Sequence, residues 1–321
     1  MERKTKTVLI IAAILMVLGL LIFVTVMTIN HWDFSRINTV KYVTNTHTVH
    51  ESFTDISIET DIADILFALS GDDTCKVVCY ERTKMQHEVC VQDGVLKINV
   101  VNTRKWYDYV GISFGQPQIT LYLPESVYES VVVEASTSDV AFPRELSFDS
   151  MQISVTTGDV SNFASVTQTA KIKTTTGNIW VGDISAGALN LSVTTGDVTV
   201  SNVTCRDDVT VRVSTGDARL KNLICGNLTS TGSTGDLDLT NVVASGKFSL
   251  ERSTGDIYFT KCDAAEIFAE TSTGDVTGSL LSDKVYITQT GIGDVDVPKT
   301  TTGGRCEIST STGDIEIRIE E

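Results

Sequence analysis

The segment LNLSVTTGDVTVS, residues 189–201, contains the pattern that decides the fold. Leu189, Leu191 and Val193 alternate with polar residues before a Thr-Gly-Asp tripeptide, and the alternation resumes at Val198. A period of two with β-branched residues is typical of a strand that has one buried and one solvated face. The glycine permits a positive φ, and the aspartate can accept hydrogen bonds from turn N–H groups. The segment therefore predicts two short strands joined at a corner.

The tripeptide recurs at intervals of 19 or 20 residues through the second half of the chain. Glycine precedes the acidic position in nine of ten units, and an aliphatic residue follows it in all ten. Aligned on that position, the units are Asp139, Asp159, Asn178, Asp197, Asp217, Asp236, Asp256, Asp275, Asp294 and Asp314. The glycines that we assign to structural turns are Gly158, Gly196, Gly216, Gly235, Gly255, Gly274 and Gly313.

A repeat of this length cannot bury its apolar face alone, whereas stacked repeats shield a common interior. The sequence therefore predicts an all-β fold, a single-stranded parallel β-solenoid (β-helix) of about ten coils of 19–20 residues. We expect matching side chains of successive units to lie over one another, about 4.8 Å apart. By precedent, we expect the solenoid to be right-handed. A second corner is expected five residues after the acid, at Asn202, Asn222 and Asn241.

The amino terminus predicts a membrane anchor. Residues 8–29 carry no charge, and 22 helical residues span about 33 Å, enough for a bilayer core of about 30 Å. Arg3, Lys4 and Lys6 precede this run, which favours a cytoplasmic amino terminus. The alternative is a cleavable signal peptide, but its apolar region is usually shorter and ends in small residues, which 26–30 do not offer. We expect an uncleaved signal-anchor.

Five regions follow from these patterns. Residues 1–7 are expected to form a cytoplasmic tail, 8–29 a single transmembrane helix, and 30–54 a stalk. Residues 55–130 are expected to form a β-rich N-terminal cap with irregular coils, because terminal repeats are usually atypical. Within the cap, the alternation around Asp64 fits the repeat, and Asp93-Gly94 predicts a hairpin turn. Residues 131–321 are expected to form the regular solenoid, with the part after residue 29 outside the cell.

Composition and charge exclude several functions. The 321 residues include 25 basic and 41 acidic side chains, a net charge of −16, and no local basic stripe that nucleic-acid binding would require. Solenoid enzymes that act on glycans cluster their carboxylates locally, whereas the carboxylates here follow the repeat. All four histidines precede the regular array. We therefore expect no catalytic residue and no cofactor.

The repeated aspartates also raise the possibility of a cation column, because aligned carboxylates repel one another unless something neutralises them. Calcium-binding solenoids bring several oxygens to each ion, whereas each coil here supplies one aspartate and few second ligands. We therefore favour turn capping and keep cation binding as an alternative. The residues of that alternative are Asp159, Asp197, Asp217, Asp236, Asp256 and Asp275.

Seven cysteines leave two questions open. Cys205 and Cys225 both lie eight residues after their aspartate, so they are expected to stack on adjacent coils within disulfide reach. Their redox state depends on the habitat. A zinc site is the second possibility, but the C-x3-C spacing on an extended strand would separate two of its sulfurs by about 13 Å. Its candidate ligands are Cys75, Cys79, His87 and Cys90.

The segments FTDISIETDIADILF (53–67) and ITLYLPESVYESVVVEASTSDV (119–140), with the serial TGD units, resemble a bacterial family of unknown function. That family is labelled putative adhesin and is built of β-strand repeats. The resemblance implies a non-catalytic scaffold at the bacterial cell membrane, adhesin-like or related to envelope stress, with an unknown envelope protein or glycan as partner. The alternatives are a structural polymer of the bactofilin kind and a glycan-active β-helix enzyme. The oligomeric state stays open.

Overall fold

The computed structural model describes residues 3–33, 40–109, 113 and 115–320. One apolar helix, α1 (Arg3–Ile29), is followed by twenty-four β-strands, and strands hold 66% of the residues. Outside α1, the described residues contain one further helical segment, a short 3-10 turn at Trp106–Tyr109. The prediction of an all-β solenoid with about ten turns is confirmed.

The strands divide into a cap and a regular array. The strands of the cap are β1 (Tyr42–Val49), β2 (Asp55–Thr60), β3 (Asp64–Leu69), β4 (Cys75–Arg82), β5 (Met85–Gln92), β6 (Val95–Asn102) and β7 (Gln118–Leu123). The first strands of the array are β8 (Val127–Thr137), β9 (Val140–Phe142), β10 (Ser147–Thr157), β11 (Val160–Asn162), β12 (Ser165–Thr176), β13 (Ile179–Thr195), β14 (Val198–Cys205), β15 (Val209–Thr215) and β16 (Ala218–Cys225). The last are β17 (Leu228–Thr234), β18 (Leu237–Thr254), β19 (Ile257–Thr273), β20 (Val276–Leu280), β21 (Lys284–Ile292), β22 (Val295–Asp296), β23 (Gly304–Thr312) and β24 (Ile315–Ile319).

Neighbouring coils pair in parallel and in register. The strand before each Thr-Gly-Asp corner pairs with its equivalent in the next coil, as where Leu191 lies opposite Val211 in the β13–β15 pair. The strand after the corner does the same, as where Val200 lies opposite Leu220 in the β14–β16 pair. Because a slip of one residue would turn every apolar side chain outward, the alternation in each unit fixes this register.

The inward side chains form one continuous apolar core that includes Ile56 in β2 and Ile317 in β24. Leu189, Leu191 and Val193 are all buried in it. Full burial of a leucine or valine side chain stabilises a fold by about 1.5–3 kcal/mol, so these three residues hold their coil on its neighbours.

The cap begins the solenoid. The coil of β2 and β3 pairs in parallel with β8 and β9, so the unit around Asp64 is a true first coil. On its other side lie β6 and β7, and antiparallel strands then close the end: β5 pairs with β6, and β4 pairs with β7. Asp93 and Gly94 both have positive φ, 54° and 79°, in the turn between β5 and β6.

The segment for which the sequence predicts a stalk, 30–54, differs from that expectation. Its residues Tyr42–Val49 form β1, which pairs antiparallel with β4 across eight residues. The inward positions of β1 include Asn45 and His47 alongside valines, and this polar inward face hides the strand from a search for alternating apolar residues. The chain therefore joins the cap at Tyr42.

The last two coils are stacked out of sequence order. The strands β19 and β20 pair with β23 and β24, while β21 and β22 lie outermost, against β23 and β24. The expectation that successive units lie over one another therefore fails for this pair of coils.

The composition of the two coils explains the exchange. The inward residues Cys306, Ile308 and Ile315 of the C-terminal coil are apolar and fully buried between two neighbours. In the outermost coil, the inward side chains opposite Cys306 and Ile308 are Tyr286 and Thr288, which are polar and only half-buried. A coil with polar inward side chains exposes less apolar surface when another coil covers only one of its sides. The outermost position therefore costs this coil less stability than it would cost the apolar C-terminal coil.

Candidate functional site

The aspartates of the repeat form a hydrogen-bonded column along one corner of the solenoid. Oδ1 of each member accepts the backbone N–H of the equivalent residue in the next coil, as where Asp217 donates to Asp197 at 2.9 Å. Ten such bonds, between 2.7 and 3.0 Å, join Asp64, Asp139, Asp159, Asn178, Asp197, Asp217, Asp236, Asp256, Asp275, Asp314 and Asp294 in that order. Asn178 can replace an aspartate because each member contributes one oxygen as an acceptor, and this hydrogen bond does not require a charged group.

The glycine before each acid makes this contact possible. The seven turn glycines have φ between +121° and +149°. A Cβ atom added at Gly196 would lie 2.1 Å from the carbonyl oxygen of Gly177 in the neighbouring coil, and other residue types also avoid this φ. The carbonyl oxygen of a turn glycine can also accept a hydrogen bond from a threonine: Thr174 Oγ1 donates to Gly158 O at 3.0 Å.

The second carboxylate oxygens face outward, and some have partners. Arg219 donates to Oδ2 of Asp197 at 3.0 Å and to Oδ2 of Asp217 at 2.6 Å. The bond to Asp197 and the neighbouring carboxylates raise the pKa of Arg219. Tyr258 donates to Oδ2 of Asp256 at 2.5 Å. One outward oxygen for each coil falls short of the six to eight that Ca²⁺ prefers, so this geometry supports turn capping, and the cation column stays a prediction.

A column of asparagines marks the second corner. Asn202, Asn222 and Asn241 have φ of 55°, 52° and 52°, in the left-handed region that asparagine tolerates better than most residues. Asn222 Nδ2 donates to Asn202 Oδ1 at 2.7 Å, and Asn241 Nδ2 donates to Asn222 Oδ1 at 3.0 Å. Both corners therefore use a ladder of side chains to hold one coil on the next.

The two cysteines of the disulfide hypothesis occupy neighbouring coils. Cys205 in β14 lies opposite Ala186 of the preceding coil, and Cys225 in β16 lies opposite Ala244 of the following coil. Both are buried free thiols in this structure. Burial raises the pKa of each to about 12. The disulfide between them stays a prediction.

A buried polar cluster lies inside the cap. This cap cluster consists of Asn45, Thr60, Cys79, Glu81 and His87. The ligand atoms of Cys79, Glu81 and His87 lie within 4.8 Å of one another, the one group with metal-ligand chemistry found among the described residues. Two of the four zinc candidates are therefore brought together. Glu81 was missed because a lone carboxylate on a strand resembles a solvated residue.

Within the cap cluster, the polar side-chain atoms of Glu81 and His87 already have hydrogen-bond partners. Glu81 Oε2 accepts bonds from the backbone N–H and Nδ1 of His87, both at 2.7 Å, and Oε1 accepts Asn45 Nδ2 at 2.7 Å. His87 Nε2 lies 2.9 Å from Thr60 Oγ1. Burial, followed by the charge of Glu81, raises the pKa of Cys79 to about 12. A complete network of this kind fixes how the two faces of the cap meet, which supports a structural role.

The other two zinc candidates lie apart from the cluster. Cys75 is a separate buried thiol, and burial raises its pKa to about 12. Cys90 is exposed on β5. A cavity of about 350 Å³ adjoins the cluster and is lined by His47 and His87, among others. The Nε2 atom of His47 is buried and has no hydrogen-bond partner among the described residues.

An exposed aromatic and basic surface lies where the chain enters the cap. This entry patch consists of the exposed residues Lys84, Lys105, Trp106, Tyr107 and Tyr109 and of Arg104, whose side chain is largely covered. Lys84 Nζ bonds Asp108 Oδ1 at 2.5 Å, and the Arg104 guanidinium lies 4.4 Å from the centre of the Tyr109 ring. In the sequence, this surface corresponds to the run RKWYDY at 104–109, which combines basic and aromatic residues and lies outside the repeats.

A parallel β-solenoid with glycine–aspartate corners places the chain among solenoid repeat proteins. The chain belongs to the Toastrack DUF4097 family, whose model matches residues 53–207 and 204–321. The resemblance to a bacterial repeat family of unknown function is thereby confirmed. A comparison with curated proteins gives no match.

The chain is similar to several solved structures, three of which come from Parabacteroides and Bacteroides species. A protein from Parabacteroides distasonis described as a putative adhesin is 12% identical with a TM-score of 0.50, and the match covers 87% of this chain and 98% of that one. Another so described, from Parabacteroides merdae, is 12% identical with a TM-score of 0.48, over 88% and 98% of the chains. A third, from Bacteroides fragilis, is 14% identical with a TM-score of 0.41, over 87% and 97%. At these identities the likeness concerns the fold alone.

Proposed function

We propose that the chain is a single-pass, membrane-anchored β-solenoid that acts as a non-catalytic interaction scaffold at the bacterial cell surface, adhesin-like or related to envelope stress. One observation carries the proposal. Within the helical stretch Thr5–Ile29, an apolar segment of 18 residues has a mean hydropathy of 3.2, and none of that segment is buried against the rest of the chain. A helix with so much uncovered apolar surface needs a bilayer to cover it.

The arrangement of polar residues supports a non-catalytic role. The carboxylates of the repeat serve as acceptors that hold one coil on the next, as between Asp197 and Asp217. Catalytic groups are needed once and should interrupt the repeat. The cap cluster combines a thiol, a carboxylate and an imidazole, but all three groups are buried, and the carboxylate and the imidazole are bonded to each other. The exposed acidic corner is then a surface for envelope partners, which we take to be a protein or a glycan.

The experiment is protease treatment of intact cells that produce the full chain with a cytoplasmic N-terminal tag. We expect loss of the solenoid and retention of a small tagged fragment in the membrane. A cytoplasmic protein detected in the same lysate controls for cell leakage. If the solenoid survives until the cells are opened, it lies inside the cell, and the surface role is wrong.

One observation favours the alternative of a structural polymer. The outermost coil leaves β21 and β22 paired on one side only, and Ile287 and Ile292 are exposed there. Open strand edges can pair with another chain. However, head-to-tail growth needs a free parallel edge at both ends, and antiparallel strands close the cap end. Negative-stain electron microscopy of the detergent-solubilised full chain separates the two functions: filaments would support the polymer, and single rods support the scaffold.

A further inference from the structure

We propose that the entry patch docks on the surface of the bilayer that holds α1, with its aromatic side chains in the interfacial layer and its lysines facing anionic phospholipid headgroups. The inference rests on the membrane anchoring proposed above and adds a second contact with the same membrane. It would fix the base of the solenoid on the bilayer instead of leaving the solenoid on a free tether.

The exposure of the aromatic residues is the first argument. On the short 3-10 turn, 81% of Trp106, 61% of Tyr109 and 49% of Tyr107 is accessible to solvent. Tryptophan and tyrosine combine an apolar body with a polar N–H or O–H group, and this composition enriches them at membrane–water interfaces. Three such side chains on one turn are far more exposed than the fold requires, since none of them contributes to the core.

The position of the patch is the second argument. The chain enters the cap at Tyr42, whose hydroxyl lies 2.6 Å from Ser113 Oγ and donates to Gly115 O at 2.7 Å. One residue earlier, Lys41 O accepts the N–H of Thr83, and Lys84 O accepts the N–H of Thr103. These bonds place the start of β1, the β4–β5 turn and the start of the 103–109 segment side by side. The patch therefore lies beside the point at which the chain enters the cap.

The length of the tether is the third argument. Twelve residues separate the end of α1 at Ile29 from the start of β1 at Tyr42. Even fully extended, they reach about 40 Å. A surface held within that distance of a bilayer meets it at a high effective concentration, so weak interfacial contacts suffice for docking.

Charge supplies the fourth argument. The side chains of Lys84 and Lys105 are exposed, and the Arg104 guanidinium lies 4.0 Å from the carboxylate of Asp61. Asp108 is bound by Lys84, and that hydrogen bond lowers the pKa of Asp108. In a chain with a net charge of −16, the entry patch brings together three basic residues, with Asp61 and Asp108 as the acidic partners of two of them. Basic residues beside a membrane span are attracted by anionic headgroups.

The chain carries three tryptophans, and they form a set of matched reporters. Trp32 follows α1, Trp106 lies in the entry patch, and Trp180 is exposed on the solenoid. Three variants of the full chain would each keep one tryptophan and replace the other two with phenylalanine. Each is reconstituted in vesicles of phosphatidylcholine and phosphatidylglycerol, 3:1, with or without brominated phosphatidylcholine as a quencher.

We expect bromine to quench Trp106 about as strongly as Trp32 and to leave Trp180 unchanged. Quenching of Trp32 without quenching of Trp106 would overturn the docking inference and leave the anchor intact. Absence of quenching at both would overturn the membrane anchor itself. Equal quenching of Trp106 and Trp180 would mean that the whole solenoid lies on the bilayer, and would also overturn docking by the patch.

A charge reversal tests the role of the lysines. In the variant that keeps only Trp106, Lys105→Glu should reduce quenching in the anionic vesicles and leave it unchanged in pure phosphatidylcholine. Lys173→Glu, at an exposed position on the solenoid, is the matched control and should have no effect. Equal effects of the two substitutions would contradict a specific contact between the patch and headgroups. Circular dichroism of each variant shows whether the β-fold is retained.

Discussion

A single arginine lies inside the solenoid, and its accommodation can be followed atom by atom. Arg252 is 2% exposed and occupies an inward column between Gly232 and Thr271. Its guanidinium donates to Glu251 O at 2.8 Å and to Ser230 Oγ at 3.0 Å. Burial lowers the pKa of Arg252 to about 10, against the opposing charges of Asp217 and Asp236. The absence of a side chain at position 232 provides the space.

The substitution Gly232→Val should therefore destabilise the solenoid, although valine occupies the same column at Val213. A Cβ at position 232 would lie 2.9 Å from the backbone oxygen of Val213 and 3.0 Å from Arg252 Cζ, and overpacking of this kind costs about 1–3 kcal/mol. Urea unfolding of the full chain in detergent measures the loss. In the double variant Gly232→Val with Arg252→Thr, the contact with Arg252 is removed and the contact with Val213 O remains, so stability should recover in part; no recovery would show that the clash is with the backbone alone.

Thiol reactivity follows from burial at the same scale. Because the pKa of Cys205 and Cys225 is about 12, almost none of either thiol is ionised at pH 8. Under reducing conditions, we expect iodoacetamide to label the native chain at the exposed Cys90 and to label all seven cysteines after unfolding in urea.

The same labelling tests the disulfide. If Cys205 and Cys225 form a disulfide at the cell surface, chain unfolded without reductant should accept five labels, since seven minus two remain free. Mass spectrometry of tryptic peptides identifies the protected pair. Seven labels on chain isolated without reductant would contradict the disulfide.

At the scale of strands and coils, the sequence predicts most of the architecture for one physical reason. Alternation with a period of two and a corner every 19 or 20 residues are both local, so each coil could be found from its own residues. The stacking order of the last two coils cannot be predicted from the residues of either coil alone. The units of Asp294 and Asp314 both contain the glycine–aspartate pair of a corner. Their stacking order depends on which of the two coils buries more apolar surface when it lies between two neighbours.

The cap shows the same limit. Its strand β1 has Asn45 and His47 at inward positions, because those side chains face a polar interior made by Glu81 and His87 from other strands. An inward asparagine cannot be told from a surface residue until its partner is placed. For the same reason, the entry patch could be seen in the sequence as the run 104–109, but not its position beside Tyr42.

The exchanged coils predict the relative stability of two aspartate variants. Asp314 lies inside the column, where its Oδ1 accepts the N–H of Asp294, whereas Asp294 is the last member and accepts no equivalent N–H among the described residues. Asp314→Ala should therefore cost about 1 kcal/mol, and Asp294→Ala should cost less. Chemical unfolding of both variants checks the order. Stacking in sequence order would give the opposite ranking.

The whole molecule combines an apolar core, which needs no charge, with a strongly acidic surface. Each coil contacts mainly its neighbours, so the stability of the solenoid is close to a sum of coil and interface terms. The ladder of Oδ1 acceptors contributes to every interface, but it also aligns outward carboxylates about 4.8 Å apart along the corner. Arg219 offsets this repulsion at Asp197 and Asp217 only. Much of the remaining charge is left to the solvent and its ions.

Salt should therefore stabilise the full chain without chemical selectivity. Screening shortens the reach of repulsion between exposed carboxylates to about 10 Å at 0.1 M ionic strength, so Tm should rise with NaCl. At equal ionic strength, CaCl₂ and MgCl₂ should raise Tm by the same amount, because each coil offers one outward oxygen and Ca²⁺ prefers six to eight. Differential scanning calorimetry in detergent compares the three salts. A larger rise with Ca²⁺ than with Mg²⁺, abolished by Asp236→Asn, would establish the cation column instead.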